Sequence, residues 1–219
     1  MKENADAATR ASQTVFIVDD DPSIREGLCN LLESVGLKAE HFPSTEAFFD
    51  QWNNTRAGCL VLDVRLPGMS GVEFQEKLQR TGRSIPIVFM TAHGDIPMVR
   101  KVMKAGAIEF LTKPFQKHEL LNAVEQAFAV DRTRRQQAEI MGSIRARFDL
   151  LTEREREVLA MVTAGMLNKQ ISAELNLSEI TVKLHRRHVM DKMQADSLAE
   201  LVKMCERAQL PSRSNNSTP

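Results

Sequence analysis

The chain of 219 residues contains no tyrosine, one tryptophan and three cysteines, and aromatic residues make up only 5% of it. Cys29, Cys59 and Cys205 are odd in number and lie far apart within apolar patterns. This arrangement supports neither a disulfide framework nor a zinc-ligand spacing. Three reduced, buried cysteines are therefore the preferred interpretation.

Long apolar runs are also missing, and the first dozen residues are polar. The sequence therefore predicts no membrane segment, and we expect a cytoplasmic protein. Net charge is absent as well, since 29 Lys and Arg residues balance 29 Asp and Glu residues. A small acidic excess in residues 1–130 and a matching basic excess in residues 131–219 favour a metal-dependent site in the first part and nucleic acid as a partner of the second.

Short apolar runs alternate with helical patterns from residue 14 to residue 130. This alternation predicts an α/β fold, a doubly wound five-stranded parallel sheet of flavodoxin-like size. The predicted strands are 14–18, 39–42, 58–63, 87–91 and 107–111, and the helices between them are 22–35, 45–52, 70–80 and 95–105.

Three of the predicted strands end in polar residues. Asp63 ends an uncharged apolar run and precedes a Pro-Gly turn, Asp19 and Asp20 follow the first strand, and Thr91 ends the fourth. Because parallel sheets place ligands beyond the carboxyl ends of their strands, we expect these side chains to share one pocket with Lys113, which follows the fifth strand.

Such a pocket suits phosphoryl chemistry. A carboxylate that attacks phosphorus forms an acyl phosphate and needs a divalent cation, and Mg²⁺ prefers oxygen ligands. Asp20 and Asp63 can hold the ion, Asp19 can orient a bound water, and Thr91 and Lys113 can contact the phosphoryl oxygens. Each residue also has a simpler interpretation, as a helix cap, a turn residue or a solvated charge.

The sequence pattern of the second half predicts helices throughout. The charge-dense stretch 131–150 is predicted as a helical linker, with an exposed loop as the alternative. Residues 151–208 have the outline of a four-helix, helix-turn-helix unit, and the segments 1–13 and 209–219 are predicted to be disordered. Three predicted starts of helices in this unit are Thr152 with Glu155 as a capping box, Asn168 and Ser178.

Both halves contain motifs in a recognisable order. The first has Val18–Asp21, Leu62–Gly71, Met90–Ala92 and Phe110–Pro114, and the second has Leu151–Glu155, Gly165–Ile171 and Ser178–His185. These segments resemble a two-component response-regulator receiver domain followed by a LuxR-type helix-turn-helix. Together they are similar to the NarL/FixJ family from about residue 14 to residue 208.

The resemblance implies roles in the first half. Asp63 would accept the phosphoryl group from a sensor histidine kinase, and Lys113 would be its phosphoryl partner. Mg²⁺ would be bound by Asp20, by Asp63 and by the backbone carbonyl of Arg65, with Asp19 acting through water. Thr91 and Phe110 would be the switch pair, and the protein would form a homodimer on activation.

The resemblance also implies how the second half meets double-stranded DNA. Lys183, Leu184 and Arg187 would face bases, whereas the residues nearer the backbone would be Lys169, Thr181 and His185. RNA polymerase would be a further partner. The alternative is a merely solvated basic face on the helix 179–193, which also places Arg186 near its exposed side. A zinc site is rejected, because no acidic or cysteine partner joins His185 and His188 at a known metal spacing.

The sequence as a whole predicts a phosphorylation-controlled transcriptional regulator and not an enzyme, apart from self-catalysed phosphotransfer and dephosphorylation. An aspartate-nucleophile phosphatase would need a second Asp two residues after the nucleophile, and that position is Arg65. A phosphorylation-independent DNA binder is opposed only by the intact acidic pocket.

Overall fold

The computed structural model describes residues 13–92 and 96–211. They form two compact units that divide between Arg134 and Arg135. Most of the predicted disordered segments 1–13 and 209–219 lies outside the described residues, as does Asp95, where the fourth helix is predicted to begin.

The first unit contains the predicted sheet. Its strands are β1 (Thr14–Val18), β2 (Lys38–Phe42), β3 (Gly58–Asp63), β4 (Ile87–Thr91) and β5 (Glu109–Thr112). They pair in parallel in the order β2-β1-β3-β4-β5, which confirms the doubly wound fold. The direction of winding changes between β1 and β3, and this is where such sheets place a binding crevice.

Helices connect the strands close to the predicted bounds. They are α1 (Pro22–Glu33), α2 (Thr45–Gln51), α3 (Gly71–Arg80), α4 (Ile96–Lys104) and α5 (Lys117–Asp149). Ser70 and Glu73 form a capping box at the start of α3. The last helix includes most of the charge-dense stretch that is predicted to be helical.

The three central strands are buried along their whole length because helices cover both faces of the sheet. Phe16 and Leu60 face a core that also contains Phe48 of α2 and Trp52, which follows that helix. Neighbouring strand residues point the other way, into a second core with α1 and the start of α5. This packing fixes the carboxyl ends of the strands and therefore the position of whatever follows them.

The edge of the sheet opposite that crevice is fastened to α5. Asp131 is fully buried, and its Oδ2 accepts a hydrogen bond of 2.9 Å from the backbone N–H of Gly58 at the start of β3. Gln13 is also buried and donates to the carbonyl of Phe128 at 3.2 Å. Gln13 therefore belongs to the packed first unit, which corrects its assignment to the disordered N-terminal segment.

The second unit contains α6 (Glu153–Thr163), α7 (Asn168–Leu175), α8 (Glu179–Met193) and α9 (Leu198–Ala208). Their apolar stripes meet in one core, which includes Val158, Ile171 and Val189. Gln209 follows α9 in a left-handed conformation and Leu210 packs against the core, so the ordered chain continues past the predicted limit at residue 208.

The three cysteines are reduced and buried, as expected. Burial raises the pKa of the Cys205 thiol to about 11, which makes it a poor nucleophile. None of the described helices combines the length and the apolar character needed to span a bilayer.

Candidate functional site

One lysine bridges two buried carboxylates at the carboxyl edge of the sheet. Asp19 follows β1, Asp63 is the last residue of β3, and Lys113 follows β5. The Lys113 Nζ lies 2.6 Å from Asp19 Oδ2 and 2.7 Å from Asp63 Oδ2. The side chains of Asp19 and Asp63 are 1% and 11% exposed. The sheet therefore brings together three side chains that are distant in sequence, as predicted.

Backbone groups hold the two carboxylates in place. Asp19 Oδ1 accepts a hydrogen bond of 2.9 Å from the N–H of Asp21, and Asp63 Oδ1 accepts one of 2.9 Å from the N–H of Arg65. Gly71 at the start of α3 approaches so closely that a Cβ there would lie 2.5 Å from the Asp63 carbonyl oxygen. Only glycine at this position allows the turn after β3 to fold back onto the sheet.

The position of Lys113 is also set by the backbone. Its N–H donates to the carbonyl of Thr91 at 2.7 Å, which ties the chain after β5 to the end of β4. The peptide bond between Lys113 and Pro114 is cis, as is typical of a proline in a tight turn.

Burial and charge act in opposite directions in this pocket. Desolvation raises the pKa of Asp19 above its ordinary value, although the hydrogen bonds from Lys113 and from the Asp21 N–H lower it in part. Burial tends to lower the pKa of Lys113, but its bonds to Asp19 and Asp63 outweigh this and raise it. The lysine is thus held as a cation between the two carboxylates.

The same pocket offers oxygen ligands to a cation. One carboxylate oxygen from each of Asp19, Asp20 and Asp63 lies within 4.8 Å of the others. Asp20 is exposed, so it leaves one side of the cluster open to solvent. Clustered carboxylates with room for water are the ligands that Mg²⁺ prefers, and the residues present therefore fit this ion.

Thr91 and Phe110 lie on adjacent strands beside the pocket. Thr91 ends β4 and is fully buried. Phe110 lies in β5, where it pairs with Phe89, and it is partly buried against the core on the α2 side of the sheet. The structure therefore places Thr91 on β4, the strand next to that of Asp63, and Phe110 on β5, one strand further away.

In the second unit, α8 presents an exposed basic side. The Ser178 hydroxyl caps the helix by accepting a hydrogen bond of 3.1 Å from the N–H of Thr181. Lys183, Leu184 and Arg187 are exposed. The opposite side of α8 is buried in the core of the unit through Val182, Val189 and Met193. Among the residues predicted to lie near a DNA backbone, Lys169 is exposed, and Thr181 and His185 are half-buried.

Comparisons with known proteins account for both units. The family model of the response regulator receiver domain matches residues 15–125, and the model of the bacterial regulatory proteins of the luxR family matches residues 149–205. The chain belongs to the NarL/FixJ family of response regulators.

Relatives of this response regulator match over nearly the whole chain. Nodulation protein W of Bradyrhizobium diazoefficiens is 47% identical over 203 residues, which cover 93% of this chain and 88% of that protein. Response regulator protein TodT of Pseudomonas putida is 44% identical, with coverage of 90% and 87%. The solved structure of response regulator StyR shares 50% identity at a TM-score of 0.79, with coverage of 90% and 99%.

Two details of the response regulator's helix-turn-helix differ from the predictions. Asn168 does not cap α7, because the cap residue is Leu167, whose N–H donates to Gln170 Oε1 at 2.8 Å. Asn168 is the first helical residue, and its Oδ1 accepts a hydrogen bond of 2.9 Å from Arg186 Nη1. Arg186 is therefore directed back to α7, which leaves Lys183 and Arg187 as the exposed cations of that side of α8.

An acidic residue does lie beside His185 and His188, contrary to the prediction. Glu155 offers a ligand atom within 4.8 Å of one from His185 and one from His188. Its Oε2, however, accepts hydrogen bonds from Lys192 Nζ at 2.6 Å and from the Thr152 N–H at 2.8 Å. Since an ammonium already compensates this carboxylate, we interpret the group as a link between α6 and α8. Sequence spacing gave no sign of it.

Proposed function

We propose that this response regulator is a transcription regulator controlled by phosphorylation of Asp63 by a sensor histidine kinase. The observation that carries the proposal is the position of Asp63 at the end of a central strand, beside two other carboxylates and bridged to Lys113. The match to a receiver domain supports a histidine kinase as the donor, and the luxR-type match supports DNA as the target.

The proposed chemistry is a phosphoryl transfer. A carboxylate oxygen of Asp63 forms a bond to phosphorus while the bond from phosphorus to the kinase histidine breaks, and the electron pair of that bond stays on the imidazole nitrogen. Lys113 would then contact the new phosphoryl oxygens and offset their charge. Hydrolysis by water would return the free carboxylate. We propose no other enzymatic activity.

Mg²⁺ is proposed as the cofactor, with Asp20, Asp63 and the Arg65 carbonyl as ligands and Asp19 acting through water. When bound, the ion neutralises charge on the phosphoryl oxygens. The support from this chain is the clustering of three carboxylates around an edge that solvent can reach.

Thr91 and Phe110 are proposed to transmit the change. Phosphorylation replaces one negative charge by about two and adds three acceptor oxygens, which can attract the Thr91 hydroxyl and leave room for the Phe110 ring to turn inward. The face formed by α4 and β5 would then change shape, and we propose that it pairs with a second copy in a homodimer.

In the second unit, Lys183, Leu184 and Arg187 are proposed to face the bases of double-stranded DNA. Lys169, Thr181 and His185 are proposed to lie nearer the phosphates, and RNA polymerase is proposed as a further partner. The exposure of Lys183, Leu184 and Arg187 on one side of α8 supports this assignment. We also propose that the protein acts in the cytoplasm, where it would reach DNA.

The proposed domain limits are 14–130 for the receiver, 131–150 for the linker and 151–208 for the DNA-binding domain. The two family models match residues 15–125 and 149–205, which supports limits near these positions. The division into compact units between Arg134 and Arg135 supports a first domain that ends at about residue 130.

The test is phosphorylation by a small-molecule phosphodonor with Mg²⁺, read by the mass of the intact protein. Wild type should gain one phosphoryl group and then bind promoter DNA more tightly, whereas Asp63→Asn should do neither. Asp50→Asn, at an exposed carboxylate of α2, is the matched control and should behave as wild type. Uptake by Asp63→Asn to the wild-type extent would refute the assignment.

A further inference from the structure

The most exposed large apolar side chain among the described residues is Ile180, in the first turn of α8. Ile180 is 80% exposed, and Leu184, one turn later on the same side of the helix, is 51% exposed. Residues four apart on a helix are neighbours, so the two side chains form a short apolar stripe. The core of the second unit leaves this stripe uncovered while it buries Val182 and Val189.

A basic stripe runs beside the apolar one. Lys183 and Arg187 are also four residues apart, and each lies three residues after a member of the apolar pair. Arg187 is 80% exposed at its side chain, and its only ion pair among the described residues is a long contact of 3.8 Å with the exposed Asp191. The partner that covers Ile180 must therefore be apolar at one point and negatively charged around it.

The major groove of duplex DNA has this combination. It admits an α-helix, its walls are phosphates, and thymine places a methyl group on the base edge there. The first residues of a recognition helix are the ones that reach base edges, and Ile180 is the second residue of α8. An apolar patch on a protein partner would cover Ile180 but would offer no negative charge to the two cations beside it.

We propose that Ile180 contacts the methyl group of a thymine and thereby selects an A·T pair in the bound half-site. Leu184 extends the same apolar contact towards the next base step, and Lys183 reaches the neighbouring base. This inference rests on the proposed function of α8 as the DNA-reading helix. It adds a specificity-determining residue that carries no charge and makes no hydrogen bond to the base.

The test removes the methyl group from the DNA and the side chain from the protein in turn. Duplexes are selected from a random library with the phosphorylated full chain, and each thymine of the selected site is replaced by deoxyuridine, which lacks only the methyl. At one thymine of each half-site, this change should weaken wild-type binding about fourfold, the equivalent of one buried methyl group. Ile180→Ala should bind the thymine duplex more weakly and should no longer distinguish thymine from uracil at that position.

Leu150→Ala is the matched control, since Leu150 is 67% exposed and lies outside α8. It should keep the full sensitivity to uracil. A selected site at which no thymine methyl matters, or at which Ile180→Ala remains as sensitive as wild type, would overturn the inference and leave DNA binding intact. A library from which no sequence is enriched would overturn the proposed function and the inference together.

Discussion

Each unit contains a buried carboxylate bonded to a lysine, and the two have different surroundings. In the first unit Lys113 Nζ lies 2.6 Å from Asp19, and in the second Lys192 Nζ lies 2.6 Å from Glu155. Both carboxylates are almost inaccessible, with Asp19 at 1% and Glu155 at 3% exposure. Distance and burial alone therefore do not distinguish a reactive pocket from a structural link.

The remaining hydrogen bonds distinguish them. Glu155 belongs to the capping box of α6, where it accepts from the Thr152 N–H as well as from Lys192. These bonds outweigh desolvation, which tends to raise the pKa of Glu155, so that pKa is lowered. In the Asp19 pocket one lysine serves two carboxylates, and desolvation leaves the pKa of Asp19 raised. The negative charges of Asp19 and Asp63 are thus only partly compensated by Lys113, and this distinguishes their pocket as one that can take up another cation.

The largest expected effect follows from removing the shared lysine. Lys113→Met leaves Asp19 and Asp63 buried next to each other without a cation, so the free energy of unfolding of the first unit should fall by about 3 kcal/mol. Trp52 is the only tryptophan in the sequence and is buried in this unit. Urea unfolding, followed by the fluorescence of Trp52, measures the change in the free energy of unfolding.

Lys117→Met, at an exposed lysine, is the control for that experiment and should change the free energy of unfolding by less than about 0.5 kcal/mol. Added Mg²⁺ should stabilise Lys113→Met more than wild type, because the ion replaces the missing positive charge. Equal stability of Lys113→Met and wild type without Mg²⁺ would mean that the lysine does not compensate the two carboxylates.

A smaller effect is expected in the second unit. Glu155→Gln removes the charge that Lys192 and the Thr152 N–H stabilise, and it should cost the second unit about 2 kcal/mol. Phosphoryl uptake and the Trp52 transition should stay unchanged, since both report on the first unit. Helix ellipticity in urea provides the measurement. The control is Glu157→Gln, since the ion pair of Glu157 with Arg154 is exposed. If Glu157→Gln lowered the free energy of unfolding as much as Glu155→Gln, the distinction between the two glutamates would be lost.

The pocket was predictable from sequence and the link was not, for a physical reason. Apolar runs that end in polar residues locate strand ends, and a parallel sheet gathers those ends whatever the loops between them do. Asp19, Asp63 and Lys113 could therefore be placed together. Local spacing also identified Glu155 as a capping-box residue, but its bond to Lys192 spans 37 positions and depends on how α6 packs against α8.

Asp131 illustrates the same limit. It lies in the charge-dense stretch 131–150, which is predicted to be a helical linker between the two units, yet it is fully buried and bonded to Gly58, 73 positions earlier. Arg134 Nη2 compensates its charge at 2.6 Å, one helical turn away. Hydrophobic periodicity assigns charged residues to the solvent side, and it has no means of recognising a charge that is buried with a partner.

The smallest expected effect is a difference in the sign of pH dependence. The pKa of Asp19 is raised in the folded chain from an ordinary value of 3.8, so between that value and the higher folded one the folded state binds more protons than the unfolded state. The contribution of Asp19 to the free energy of unfolding should therefore fall as pH rises through this window. The pKa of Glu155 is lowered from 4.5, so its contribution is fully present above 4.5 and is lost as pH falls through the folded value.

Because other groups titrate over the same range, each contribution is measured as wild type minus variant. Urea unfolding between about pH 3 and pH 7 should give a difference that decreases with pH for Asp19→Asn, read by Trp52 fluorescence, and one that increases with pH for Glu155→Gln, read by helix ellipticity. Slopes of opposite sign are expected because the hydrogen-bond donors around Glu155 favour its charged form, whereas those around Asp19 do not outweigh the effect of burial. Slopes of the same sign would show that the two buried carboxylates are compensated alike, and the proposed distinction between pocket and link would then fail.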